Sequence, residues 1–412
     1  MQIYRRSLLQ SALALGASQI VAAPFVVRAL GDEPIKIGMV NSLTGVLAAL
    51  AQSEVNGAKY AAAEINKNGG ILGRPVNFLV EDSANDIQVG MQKAATLIER
   101  DNVSAMLGDL NSGVAFAIAE IAGDKKIIHI VPGGRADPLT GTSCKWNVFR
   151  ICNTTTMDAN AVTPELVTRF GNKWYFISPD FAYGRTLQGA FVKALTQLGG
   201  TYDGDSLPFD TTNFSLTLTR VKTFKPNVVL NNMIGPAQIG FAKQFAASGM
   251  QKDMMLGGGL MELESIKTAS AEAQTGWWGM EWWWNQPNMP AVAKFVANYR
   301  HALNKTPSAR DWFGYVAMHS VRLAAEKAKS LEAPKLAAAM EDMTLPPEIA
   351  LQPGEVRYRA GDHQLLGNIF FGEVHPPQSA NKDDVFNVAT LVSGESAVGS
   401  IDDVGCQMEH PD

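Results

Sequence analysis

Beyond Ala29 no apolar run approaches the ~20 residues of a membrane-spanning helix, so the body of the chain reads as a soluble globular protein. Charge is sparse, at 18% of residues, and the formal balance of −5 argues against a nucleic-acid or other polyphosphate partner. There is no Gly-Lys-Ser/Thr phosphate loop, no Gly-x-Gly-x-x-Gly after the first strand pattern, no Gly-x-Ser-x-Gly elbow and no zinc-ligand histidine spacing. The histidines, His129, His301, His319, His363, His375 and His410, are scattered and read as surface or satisfied core residues. No catalytic residue, metal or cofactor is therefore expected.

The opening residues carry a different signal. Tyr4, Arg5, Arg6, Ser7, Leu8 and Leu9 precede an apolar stretch from Ala12 to Val27 that Gly16, Ser18, Gln19 and Pro24 interrupt. This is too weak for a membrane anchor and fits an export signal over residues 1–29, with paired arginines suited to the twin-arginine route. Cleavage is expected after Ala29, with Ala23 as a rival, and loss of Arg5, Arg6 and Arg28 leaves the body more acidic. In an oxidising compartment the three cysteines matter. Cys144 and Cys152 flank a strand pattern that disfavours a bridge between them, which favours Cys144 with Cys406 and a buried thiol at Cys152; the alternative is three free thiols.

From Ile35 the chain alternates short apolar runs with amphipathic helices. Runs at Ile35–Val40, Val76–Val80, Val103–Leu107 and Ile127–Val131 are separated by helical spacings such as Val55, Ala58, Ala62 and Ile65. The rhythm restarts after Cys152 with Trp174–Ile177, Val228–Leu230 and Met254–Leu256. Two doubly wound parallel-sheet α/β lobes follow from this pattern, since the length exceeds what one core usually supports. The helices expected at 291–303 and 312–330 lack strands of their own and should cover the first lobe.

In open α/β sheets ligands bind beyond the carboxyl ends of the strands. The sequences there are Asn41-Ser42-Leu43-Thr44-Gly45, Gly108-Asp109-Leu110-Asn111-Ser112-Gly113 and Pro132-Gly133-Gly134-Arg135. Small and hydroxylated residues are ordinary turn formers, but three such turns at successive strand ends let a carboxylate approach backbone N–H groups. Arg135 offers a bidentate fork for a carboxylate, or a surface ion pair with Asp137. In the second half, Tyr183 opens a helix and offers cover and a hydroxyl, and Gly257-Gly258-Gly259 ends another strand pattern. The cluster from Trp277 to Trp284 offers indole walls or packing at a lobe junction.

Ile35-Lys36-Ile37-Gly38 with Leu43-Thr44-Gly45, Asn56-Gly57-Ala58 through Glu64-Ile65-Asn66 to Gly69-Gly70-Ile71-Leu72-Gly73-Arg74-Pro75, and Glu81-Asp82 resemble the type I periplasmic substrate-binding proteins of branched-chain amino-acid ABC transporters. The likeness continues through Leu139-Thr140-Gly141, Phe149-Arg150, Asp180 with Tyr183-Gly184, and Gly257. The resemblance implies two lobes joined by a three-crossover hinge: 30–149 with 282–352, and 150–281 with 353–412. It implies ligand contacts at Leu50, Asn111, Ser112, Gly133, Gly134, Arg135, Tyr183 and Gly259. It also implies a periplasmic carrier that shuts on a small carboxylate-bearing metabolite and meets a membrane permease; an exported sensor is the alternative.

Two departures bear on the ligand. Arg135 stands where the family pattern has Thr, and Gly257-Gly258-Gly259 stands where amino-acid binders place the acid for the ammonium group, with Glu262 and Glu264 a turn further on. A buried ammonium without an acid is costly. The expected ligand is thus a branched-chain or other hydrophobic amino acid, or else an aromatic or other organic acid.

Overall fold

The computed structural model describes residues 33–410, so the export-like segment 1–29 lies outside the described residues. Its strands are β1 Ile35–Asn41, β2 Val76–Asp82, β3 Ala105–Leu107, β4 Ile128–Val131, β5 Val148–Arg150, β6 Lys173–Pro179, β7 Thr201–Leu207, β8 Val228–Asn231, β9 Met255–Gly258, β10 Trp277–Met280, β11 Arg357–Tyr358, β12 Leu365–Leu366, β13 Ile369–Val374 and β14 Phe386–Val392. The first sheet has the order β2-β1-β3-β4-β5 and is parallel throughout. The second runs β14-β13-β10-β9-β8-β6-β7, parallel from β10 to β7 and antiparallel at β13 and β14.

Burial explains these elements. Ile35, Ile37, Met39, Leu107, Ile130 and Phe149 from the first sheet meet Phe295, Trp312, Phe313 and Val316 from helices Pro290–Leu303 and Ala309–Ala328 in one core. In β6, Trp174 and Phe176 face one core while Tyr175 and Ile177 face another, as the period-two alternation of a strand covered on both faces requires. Thr201–Leu207 has no such apolar signal, because β7 is an exposed edge strand.

Between the sheets the chain passes through the segments around Ile151–Thr154, Glu281–Trp284 and Gln352–Asn368. Their side chains tie them together: the Glu281 carboxylate accepts from Asn153 N–H, and Gln352 donates to the Glu281 carbonyl and accepts from Asn368 N–H. The β11–β12 ribbon differs from expectation. Val356, Tyr358 and Leu365 pack in the first core, so the return to the second sheet falls between Leu366 and Ile369 rather than near residue 352. Cys144 and Cys406 form a disulfide that fastens the C-terminal tail to the loop before β5, and Cys152 is a free, buried thiol. Among the described residues no helix is long and apolar enough to cross a membrane.

Candidate ligand-binding site

The carboxyl ends of β1, β2 and β3 are laced together by two buried polar side chains. Asn41 Oδ1 accepts from the backbone N–H of Ser42 and of Leu110, each at 3.0 Å. Asp109 accepts from Ser42 Oγ at 2.9 Å, Ser83 Oγ at 2.6 Å and Asn111 N–H at 2.7 Å. Burial pushes the Asp109 carboxyl up to about 7, against those donors. This lacing fixes Asn111 as the cap of helix Ser112–Asp124, its side chain accepting from Gly113 N–H.

Ser112 then spans to the end of β4. Its Oγ accepts from the N–H groups of Arg135 and Ala136, both at 3.1 Å, so the hydroxyl hydrogen remains available to an acceptor in the cleft. Opposite, Tyr183 sits in the first turn of helix Ala182–Gln197, and burial holds its phenol above the usual range, leaving it a donor at neutral pH.

These groups line one cavity between the strand-end loops of the two sheets. Leu47, Leu50 and Leu110 form one apolar wall, and Phe181, Tyr183, Ile234 and Leu260 form the facing wall. Asn111, Ser112, Gly133, Arg135 and Arg310 supply its polar side. Gly133 has no room for a side chain, since a Cβ there would strike the Glu54 carboxylate and the Arg310 guanidinium.

Both arginines are buried. Arg135 pairs with Asp158, 3.3 Å away, and with Glu281, not with Asp137 at the surface. Its Nε and Nη2 have no hydrogen-bond partner among the described residues. Arg310 bonds Glu262 through Nε at 2.8 Å and Nη2 at 2.6 Å, and Glu54 through Nη1 at 2.8 Å. Burial works against the Arg310 charge and the two carboxylates outweigh it. The Phe313 ring lies 5.7 Å from one guanidinium and 5.5 Å from the other, a cation–π contact that steadies both.

Of the site residues expected from sequence, Leu50, Asn111, Ser112, Gly133, Arg135 and Tyr183 line this cavity. Gly134 and Gly259 lie away from it. Gly134 packs on Val131, Ala115 and the Asp109 carbonyl, and Gly259 packs beneath Phe191, so each serves close backbone packing instead of the cleft. The tryptophan cluster also stays out of the cavity: Trp278 and Trp283 belong to a core of the second sheet and Trp282 to the first core. Burial pushes the three buried histidines down, His129 and His363 to about 4 and His319 to about 3, and none of them lines the cavity.

A family model described as periplasmic binding protein matches residues 34–382. The chain belongs to the periplasmic binding protein family. It is 30% identical over 359 residues to the Leu/Ile/Val-binding protein BraC3 of Rhizobium johnstonii, covering 84% of this chain and 92% of that protein. A crystal structure of a periplasmic binding protein from Burkholderia mallei superposes with a TM-score of 0.83 at 23% identity, covering 91% of this chain and 99% of that one. A solute-binding protein of an ABC transporter from R. palustris, in complex with benzoate, superposes with a TM-score of 0.77 at 21% identity, covering 88% and 97%. These structural likenesses establish the two-lobed type I fold of this binding protein.

The residues that sequence reasoning missed are Arg310 with its partner Glu54, the Arg135 partners Asp158 and Glu281, and Leu47, Leu110, Phe181, Ile234 and Leu260. One local signal lay near Arg310 unread: Ser308 and Asp311 form the capping box of helix Ala309–Ala328, which sets Arg310 in the first turn of a helix expected to begin only at Trp312.

Proposed function

We propose that this binding protein is the exported, periplasmic substrate-binding component of an ABC importer, capturing a small carboxylate-bearing metabolite by lobe closure and presenting it to a membrane permease. The observation that carries the reading is the convergence of Ser112, Arg135 and Tyr183 on one cavity whose apolar walls come from opposite lobes. Donors at one side and leucine, isoleucine and phenylalanine side chains around the rest suit a molecule with an anionic head and an apolar body. Such a ligand touches both halves at once, so its affinity differs between open and closed forms, and that difference is what a permease reads.

The relative named for Leu/Ile/Val binding supports a branched-chain or other hydrophobic amino acid as cargo. An aromatic or other organic acid is the second reading, favoured by the absence of any carboxylate among the residues lining the cavity. An exported sensor would use the same closure, and permease and ATPase genes beside this one would separate transport from sensing.

Mass spectrometry of co-purified compounds, followed by a thermal-shift panel of hydrophobic amino acids against aromatic acids, tests the proposal. A ligand of the panel should bind at about micromolar concentration or tighter, ~8 kcal/mol, and be recovered unchanged. No shift with any member, or chemical conversion of the bound compound, would overturn the reading.

A further inference from the structure

The polar side of the cavity is short of positive charge. Arg135 and Arg310 together face Asp158, Glu281, Glu262 and Glu54, the last two shared on Arg310 and Glu262 also 3.9 Å from Arg135. None of these six side chains belongs to a residue more than 3% exposed. Two guanidiniums thus pair with four carboxylates where solvent cannot spread the excess, and the third buried arginine nearby, Arg150, gives its donors to Gln364, Thr140 and the Gly134 and Ala136 carbonyls, so it offsets part of the surplus without pairing with any of the four acids. Glu262 Oε2 has no hydrogen-bond partner among the described residues.

The arrangement of this cluster is as telling as its sum. Arg135 and Arg310 line the cavity, whereas none of the four acids is among its lining residues. An ammonium group entering the cleft meets guanidiniums before it meets an acid. A carboxylate meets the Arg135 guanidinium, whose Nε and Nη2 make no hydrogen bond among the described residues, and the Ser112 hydroxyl. Seated there, however, it adds another negative charge to a cluster already in surplus, and it competes with Asp158 and Glu281 for the Arg135 charge.

We propose that the cleft selects a monocarboxylate bearing no ammonium group and takes it up together with one proton, which settles on the acid cluster behind Arg135. The inference rests on the carrier reading above and names the chemical class of its cargo. No bond forms or breaks: solvent supplies the proton and a cluster carboxylate accepts it. Asp158 is the first candidate. It is faced by Arg135 and Asp137 from the loop after β4, Asn153 from the crossing segment, Glu281 from the end of β10 and Tyr183 from the facing helix, with Arg310, Glu54 and Glu262 beyond. Burial, opposed by Arg135, already holds the Asp158 carboxyl at about 6. Burial raises the Glu54 carboxyl too, against Arg310.

The sign follows. A bound carboxylate raises the Asp158 value further, so binding takes up a proton and affinity grows as pH falls toward about 6, up to about tenfold per pH unit, then levels off. A zwitterion brings its own positive charge and gives a flat profile.

Calorimetric titration of the full chain with two matched pairs tests this: 4-methylpentanoate against leucine, and 3-phenylpropanoate against phenylalanine. Each is measured at about pH 6, in phosphate and in bis-Tris, and at about pH 8, in phosphate and in Tris, whose different ionisation heats count the protons bound. At the lower pH one or both acids should bind about tenfold or more tighter than the matching amino acid, and weaken about tenfold or more at the higher pH. Asp158→Asn should reduce the proton uptake, and Glu54→Gln provides the second cluster variant; the buffer comparison on the unaltered protein depends on neither folding.

Tighter binding of the amino acids, or acid binding without proton uptake and with a flat profile, overturns this inference and leaves the carrier reading standing. If no member of either pair binds and benzoate also fails, the carboxylate reading falls and the inference falls with it.

Discussion

Arg135 does two jobs with one guanidinium. One nitrogen holds Asp158 and Glu281, while Nε and Nη2, the latter 3.9 Å from Glu262, make no hydrogen bond among the described residues of a side chain that lines the cavity. Replacing it by Ala removes a charge-assisted contact to ligand and strands two buried acids. Arg135→Ala is expected to weaken a bound carboxylate by more than about tenfold, with melting measured alongside; an unchanged titration would remove Arg135 from the site. The same scale shows how much a residue pattern reveals. Asn111, Ser112, Gly133 and Arg135 were legible because strand-end loops face the ligand side wherever a parallel sheet forms. Gly134 and Gly259 obey the same rule in sequence but turn toward Ala115 and Phe191, since one residue of register separates the cleft from the core.

Helices Ala48–Lys67 and Ala309–Ala328 pack backbone against backbone. A Cβ on Gly57 would collide with the Asp311 carbonyl, and one on Gly314 with the Glu54 carbonyl. Missing side chains at these two positions let the backbones touch, and that contact brings Glu54 within 2.8 Å of Arg310, 256 residues later in the chain. Gly314→Ala should therefore cost about 1–3 kcal/mol through overpacking and should weaken ligand binding as Glu54 and Arg310 separate. Denaturant melts and titration read the two effects, and a stable variant with unaltered affinity would show that the helices do not position the pair. Here the sequence was silent, because a glycine in a helix carries no sign of the partner it admits.

At the scale of the whole molecule, two lobes share one cleft, and the C-terminal tail is fastened back by Cys144–Cys406. That bridge closes a sequence separation of 262 residues. Replacing both cysteines by Ser should lower stability by about 2–4 kcal/mol, because the unfolded chain regains the freedom the link removed. Thermal melting checks this, and an unchanged transition would mean the tail is held by its other contacts alone. Lobe closure has its own measurement: small-angle scattering should give a smaller radius of gyration when a binding acid from the panel is added. Equal radii with and without a bound acid would count against closure as the signal.

The βαβ rhythm, the covering helices at 291–303 and 312–330, and the three strand-end loops were determined by sequence alone, because apolar periodicity and turn chemistry act over short spans. The polar edge strand β7 and the place of the β11–β12 ribbon escaped it, since an edge strand lacks the apolar signal and Tyr358 declares its core only through neighbours such as Phe149. Only tertiary structure decided that two arginines would stand before four acids. Charges from distant helices, a loop and a crossing strand end are brought together by packing, and the dry surroundings that give the cluster its chemistry exist only once the lobes have folded around it.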